Sequence, residues 1–121
     1  MIIGLYTKDF ALLNRITSKI KDKNIKLRHI ADISKLNDEY HVLISKNKIR
    51  NCDVPQIQPG NLDILELNIR CKIYECSDLI IGIDPGGVIG LSVIGAGRIL
   101  FMSTYENPLD LAAIIKSVEL E

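Results

Sequence analysis

The sequence lacks the features that mark several specialised classes of protein. No apolar run approaches the 18 residues that suggest a membrane span, although 47% of the 121 residues are apolar, so a soluble globular protein is expected. No basic-then-apolar leader with a small-residue cleavage site opens the chain, because Met1-Ile2-Ile3-Gly4-Leu5 reads as a strand. A cytoplasmic location is the expectation that follows. Only 3 cysteines are present, an odd number that argues against a disulfide framework. Cys71 and Cys76 lie five apart on a predicted helix and point in different directions, and Cys52 falls in a loop, so all three read as buried or incidental thiols. His29 and His41 have no cysteine or acid at ligand spacing and read as strand-edge histidines. No serine or threonine sits in a nucleophile-elbow pattern, and there is no internal repeat or low-complexity segment.

An excess of either charge is also missing, since 15 Lys/Arg balance 15 Asp/Glu. The balance hides an asymmetry. Residues 1–77 hold 13 Lys/Arg against 9 Asp/Glu, a net of +4, and residues 78–121 hold 2 against 6, a net of −4. A nucleic-acid-binding domain usually carries a basic face. The acidic C-terminal part instead suits a cation site or a partner surface.

What is present is a strand–helix alternation. Ile2 to Tyr6 reads as a strand. Asp9 caps a predicted helix to about Asp22, with Phe10, Leu13, Ile16 and Ile20 as its apolar stripe. Ile25 to Ile30 alternates apolar and basic residues, as a half-exposed strand near a sheet edge does. One helical turn is expected over Ile33 to Asp38, begun by Asp32 or Ser34. His41 to Ser45 is a third strand, buried at Val42-Leu43-Ile44. Lys46 to Gly60 shows no periodicity and reads as the longest loop. Leu62, Leu65, Ile69, Ile73 and Cys76 mark a helix begun near Asn61. Asn107-Pro108 starts the last helix, with Asn as N-cap and Pro at its first position, and Leu111, Ile114, Ile115 and Val118 as its stripe.

Between those helices lies the most informative stretch. The apolar run Leu79 to Ile83 ends in Asp84, and Pro85-Gly86-Gly87 follows at once, so a buried strand is expected to deliver a carboxylate to its carboxyl end. Leu91 to Ile94 is a second run, Gly95-Ala96-Gly97 a second turn and Arg98 to Ser103 a third run. Two glycine-marked reversals predict an antiparallel meander. The fold class is therefore α/β, with a mixed sheet: a Rossmann-like parallel N-terminal half, then the meander and a C-terminal helix. One continuous sheet is expected in the order 2-1-3-4-5-6, with the motif strand parallel to the first three, in a single domain of residues 1–121. The alternative divides the chain into residues 1–77 and 78–121.

The run Ile81-Gly82-Ile83-Asp84-Pro85-Gly86, with Gly90, Val93-Ile94 and the hairpin at Gly95-Ala96-Gly97, resembles the opening of the RuvC-like branch of the ribonuclease H superfamily, which includes Holliday-junction resolvases. The resemblance covers about 25 residues and implies a ribonuclease H-like meander. It implies that Asp84 is a catalytic acid and a ligand for Mg²⁺ or Mn²⁺. The same short motif is similar to the first phosphate loop of actin-like ATPases and sugar kinases, which would make Gly86 and Gly87 a phosphate loop. Both groups tend to carry Ser or Thr and basic residues where this chain has Gly87-Val88-Ile89.

Each candidate has a structural reading beside the functional one. Asp84 either faces a ligand at the strand's carboxyl end or stabilises the Pro85-Gly86 turn through its own backbone. Two-metal phosphoryl chemistry needs several carboxylates, and only Asp78, Glu106 and Asp110 lie near in sequence; Asp110 equally complements a helix N-terminus. Gly86, Gly87 and Gly90 either present N–H groups to a phosphate or meet the demands of hairpin geometry. Lys19, Lys21, Lys23, Lys26, Arg28, Lys46, Lys48 and Arg50 either contact nucleic-acid phosphates or form a solvated surface, with little aromatic interleaving.

Three functions compete. The first is a RuvC-like, nuclease-related module without a complete active site in this chain. The second is a non-catalytic α/β module that binds protein or nucleic acid. The third is an actin-like or sugar-kinase-type nucleotide-binding fragment. Both faces of the meander read as apolar, with Leu91 and Val93 opposite Ile94, and Ile99 and Phe101 opposite Leu100 and Met102. Self-association or a protein partner is therefore expected at residues 91–103 or at the final helix.

Overall fold

The computed structural model describes residues 1–119. They form two compact units, Met1–Ile73 and a second beginning at Tyr74.

The N-terminal unit is a parallel four-stranded sheet in the order β2-β1-β3-β4. Its strands are β1 (Ile2–Tyr6), β2 (Lys26–Ile30), β3 (Val42–Ser45) and β4 (Gln56–Ile57). Helix α1 (Phe10–Lys19) follows β1, and α2 (Leu65–Ile73) follows β4. Ile3, Leu5, Val42 and Ile44 pack with Leu12 and Ile16 of α1 and Leu65 and Ile69 of α2. On the other sheet face Leu43 packs with Ile30 and Val54, flanked by Tyr40 and Ile49. Burial on both faces explains the unbroken apolar run Val42-Leu43-Ile44. Gly4 lets Ile30 and Tyr40 lie close to the strand: a methyl group there would be 2.6 Å from Ile30 Cδ1 and 3.1 Å from the Tyr40 ring, so both would have to shift.

Local chemistry sets the ends of these elements. Asp9 caps α1 by accepting the Leu12 N–H at 3.1 Å, and Asp32 caps the single turn Ile33–Lys35. Helix α1 stops at Lys19 rather than near Asp22. The N–H groups of Lys21 and Asp22 that would continue it donate to Glu66 Oε1 on α2. Phe10, expected on the buried stripe, is 68% exposed and meets the His29 ring edge-on at 6.3 Å. At 3.6 residues per turn, Leu12, Leu13, Ile16 and Ile20 share an arc of about 100°, and Phe10 falls roughly 60° outside it. Helix α2 ends at Ile73, leaving Cys76 beyond it; Glu75, at φ 51°, takes the left-handed conformation that terminates helices.

The expected continuous sheet is not formed. The edge of β3 assigned to the motif strand is taken by β4, within the segment expected to be a plain loop. Gln56 fastens that segment, its side chain accepting the Ile49 N–H at 2.7 Å and donating to the Ile49 carbonyl at 2.9 Å. A strand of two residues, flanked by Pro55 and the Gln58-Pro59 pair, is too short to show a period. With that edge paired, the motif strand pairs only within the meander and does not join the parallel sheet.

The second unit is an antiparallel three-stranded sheet of β5 (Ile80–Asp84), β6 (Ile89–Gly95) and β7 (Arg98–Tyr105), followed by α3 (Pro108–Glu119). Asn107 caps α3 by accepting the Leu109 N–H at 2.9 Å. Ala96 and Gly97, at φ 50° and 70°, make the two-residue turn with both central residues left-handed that matches strand twist. Gly95 makes room for two leucines, since a methyl group there would lie 2.8 Å from both Leu100 Cδ1 and Leu79 Cδ2 and would displace them.

Helix α3 packs on β6 and β7, and Leu91, Val93, Leu100, Leu111 and Ile114 are buried. The motif strand β5 was expected to be buried and is not: Ile80 is 66% exposed and Ile83 50%, because Ile80 faces away from α3 and Ile83, on the Leu91 face, lies on an outer strand of the sheet. The facing of β7 also differs from simple alternation. Val93 pairs with Phe101 but Ile94 pairs with Ile99, which leaves Leu100 as the extra residue of a bulge. Leu100 therefore joins the buried side, whereas Met102, expected to share its face, is 69% exposed.

Candidate functional site

Asp84 is the last residue of β5 and pairs with Gly90. Successive side chains of a strand alternate between faces, and cross-strand partners share one. Gly82, Asp84, Gly90, Ser92, Met102 and Thr104 thus share the face opposite the buried Leu91 and Val93. They line an open cavity of about 630 Å³ in which Asp84 is the single acid. Small residues keep its floor low. A methyl group at Gly82 would lie 2.7 Å from Ser92 Oγ, and one at Gly90 would lie 3.4 Å from Asp84 Cβ.

The turn-stabilising reading of Asp84 finds no support in the hydrogen bonding. Asp22, Asp32, Asn37, Asn61 and Asn107 each accept a backbone N–H two residues on. Among the described residues Asp84 makes no such bond. Neither Gly86 nor Gly87 has positive φ, but a methyl group on Gly86 would crowd the Val88 carbonyl oxygen at 3.3 Å. A methyl group on Gly87 would meet nothing within 4 Å.

No three His, Cys, Asp or Glu side chains among the described residues come together to hold a metal ion. Asp78, Glu106 and Asp110 do not line the Asp84 cavity, and Asp110 lies in the first turn of α3, where its charge suits the helix dipole. One carboxylate beside hydroxyls fits a single hydrated Mg²⁺ or Mn²⁺, which keeps several waters and binds through one or two carboxylates. It does not fit a pair of ions. The histidines have structural partners: His41 Nδ1 accepts the Ile2 N–H at 3.0 Å, and His29 Nε2 lies 2.9 Å from the Thr7 carbonyl.

The eight basic candidates are not brought to one place. Lys19, Lys21, Lys23 and Lys26 lie at the amino end of the parallel sheet, where Lys26 is opposite Ile2. Lys46, Lys48 and Arg50 follow β3 at its carboxyl end, where Ser45 is opposite Tyr6. At about 3.3 Å per residue the ends of β1 are roughly 13 Å apart. Several of the cations are also paired: Lys19 with Asp63 at 2.5 Å, Arg28 with Glu39 at 3.5 Å and Lys46 with Asp9 at 2.9 Å.

One place escaped the sequence reading, the crevice between the carboxyl ends of β1 and β3. Thr7 and Lys8 meet Ser45, Lys46 and Asn47 around a cavity of about 190 Å³. The Lys46 ammonium beside Asp9, followed by the Leu12 N–H, holds the Asp9 carboxyl below its ordinary value. The available signal was topological: a crossover leaves β1 toward β2, and the chain leaves β3 in the opposite direction. No protein-family model, curated protein or solved structure matches the chain.

Proposed function

We propose that the chain is a nuclease-related module of the RuvC-like, ribonuclease H-like kind that binds nucleic-acid phosphate without cleaving it. The observation that carries this reading is the placement of Asp84. It ends the first strand of a glycine-linked antiparallel meander, on the face away from the buried core, over a floor of glycine and serine. Its carboxylate would hold one hydrated Mg²⁺ or Mn²⁺, and that ion would supply positive charge to a phosphate. In-line displacement with two ions needs further carboxylates, and the cavity offers Asp84 alone.

Titration with Mn²⁺ or Mg²⁺, read on the amides of residues 82–90, tests the metal site. Perturbation at millimolar ion that disappears in Asp84→Asn is expected, and an unchanged response in that variant removes the site. Four-way junction, duplex and single-stranded substrates in Mn²⁺ should stay intact. Cleavage lost in Asp84→Ala would reveal a complete active site and overturn the non-cleaving reading. Gly87→Ala should leave the fold unchanged, so a loss of nucleotide binding in it would favour the actin-like phosphate loop.

A second reading, a protein-binding module, is favoured by one observation. Ile80, Ile99 and Met102 are 66%, 62% and 69% exposed and share the open face through the pairings Ile80↔Ile94, Ile94↔Ile99 and Ser92↔Met102. Exposed apolar patches of this kind mark association surfaces. Light scattering across a concentration series separates self-association from a monomer that awaits a different partner.

A further inference from the structure

The parallel sheet contains one point where its connections diverge. From β1 the chain passes through α1, on the face of Ile3 and Leu5, to reach β2. From β3 it leaves along residues 46–55, on the opposite face beside Leu43 and Val54, to reach β4. Adjacent parallel strands whose connections depart to opposite faces leave a crevice at their carboxyl ends, and open α/β sheets bind ligands there. The cavity of about 190 Å³ lies at that point, lined by Thr7, Lys8, Ser45, Lys46 and Asn47, with Tyr6 and Ile49 as its apolar wall. Topology and cavity are separate observations, and they select the same residues.

The lining defines the ligand. Lys8 and Lys46 are its charged groups, joined by the Thr7 hydroxyl and the Asn47 amide. Ser45 is 4% exposed, and its hydroxyl donates to the Asn47 carbonyl at 2.8 Å, which ties the first residues after β3 into a fixed loop. Lys46 is held near the cavity by Asp9 at 2.9 Å, in a pair whose side chains are 56% and 37% exposed. Exposed pairs of this kind are weak, so a more highly charged anion draws the ammonium across. At about 30 Å³ per water the cavity displaces roughly six waters. That is room for a phosphoryl group and a few further atoms, and less than the roughly 300 Å³ of a drug-sized site. We propose that this crevice binds the terminal phosphoryl group of a phosphate monoester, with Lys8 and Lys46 as its cationic contacts. The site is separate from the Asp84 cavity and does not depend on how that cavity is read.

The test follows amide resonances of the full chain during titration with inorganic phosphate, a nucleoside 5′-monophosphate and a 5′-phosphorylated oligonucleotide, at constant ionic strength. Saturable shifts at Thr7, Lys8 and Asn47 are expected with each probe, and none with the nucleoside or the unphosphorylated oligonucleotide. Comparing the two phosphorylated ligands shows whether the phosphoryl group comes from a small molecule or a nucleic-acid end. Lys8→Gln and Lys46→Gln should each weaken binding at least about tenfold, while Lys26→Gln, the same charge change at the other end of the sheet, should leave it unaltered. Asp9→Asn keeps a good helix cap but releases Lys46 and should tighten binding severalfold. Asp84→Asn should leave the shifts at Thr7, Lys8 and Asn47 unaltered, so failure here is distinct from failure of the metal site. Shifts scattered over other lysines, equal loss in Lys26→Gln, or equal shifts at Thr7, Lys8 and Asn47 with the unphosphorylated oligonucleotide would overturn the proposal.

Discussion

Leu43 and Ser92 stand at comparable places, one within β3 and the other within β6. Leu43 is fully buried, because residues that follow β2 and β3 cross that face of the sheet and pack against it through Tyr40, Ile49 and Val54. Ser92 lies on a face where Ile80, Ile99 and Met102 remain exposed, because α3 covers β6 and β7 from the other side. A parallel sheet needs crossover connections, and the crossovers cover both of its faces. A meander needs only tight turns, so nothing in its connectivity covers a second face. The difference between the units is therefore one of connection, and it assigns stability to one and open surface to the other.

The largest test of this contrast compares Leu43→Ala with Ile80→Ala in denaturant unfolding. The first removes a fully buried side chain and should cost about 2–5 kcal/mol. The second removes an exposed one and should stay within about 0.5 kcal/mol. Comparable losses would show that the meander face is covered after all.

A smaller effect comes from the network that ties α2 to the α1–β2 connection. Arg70 bonds Asp22 at 2.7 Å and Glu66 at 3.4 Å, and its own side chain is 17% exposed. Arg70→Ala should destabilise the N-terminal unit by about 1–3 kcal/mol, because two largely covered carboxylates lose their charged partner. The Asn24 N–H and then Arg70 hold the Asp22 carboxyl below its ordinary value, and the Ser34 N–H and hydroxyl do the same for Asp32. A carboxyl with a depressed folded-state pKa stabilises the fold above its unfolded value, near 3.9, and that contribution is lost as pH falls through the folded value. Melting temperatures should therefore fall below about pH 4, and Asp22→Asn should flatten that acid limb.

The C-terminal unit should respond at its turn. Ala96 holds φ 50°, a conformation that costs an L-residue about 1–2 kcal/mol. Ala96→Asn matches the turn's preference for Asn-Gly and should stabilise this unit by about 0.5–1 kcal/mol, leaving the N-terminal unit unchanged. The smallest effect on stability, and the most direct on surface, is expected of Met102→Gln. It should alter unfolding by less than about 0.5 kcal/mol yet reduce any concentration-dependent association seen by light scattering.

Much of the fold was determined by local sequence. Asn107-Pro108, Asp9 and Asp32 begin their helical turns because capping uses a side chain and an N–H only two or three residues away. The meander was legible because Ala96-Gly97 and the loop after Asp84 punctuate strand-like runs. Asp84 at a strand's carboxyl end was equally legible, since a run ending in an acid before Pro-Gly is a local pattern. Tertiary structure alone decided the rest. Gln56-Ile57 becomes a strand because β3 offers it an edge, and that pairing separates the two sheets. Leu100 is buried and Met102 exposed because a bulge, which depends on pairing across β6, resets the alternation. The crevice of Thr7, Lys8, Ser45 and Lys46 exists because residues nearly 40 positions apart end adjacent strands whose connections diverge. Such features depend on which strand lies beside which, and the free energy of that choice resides in contacts between segments, beyond the reach of any single window of sequence.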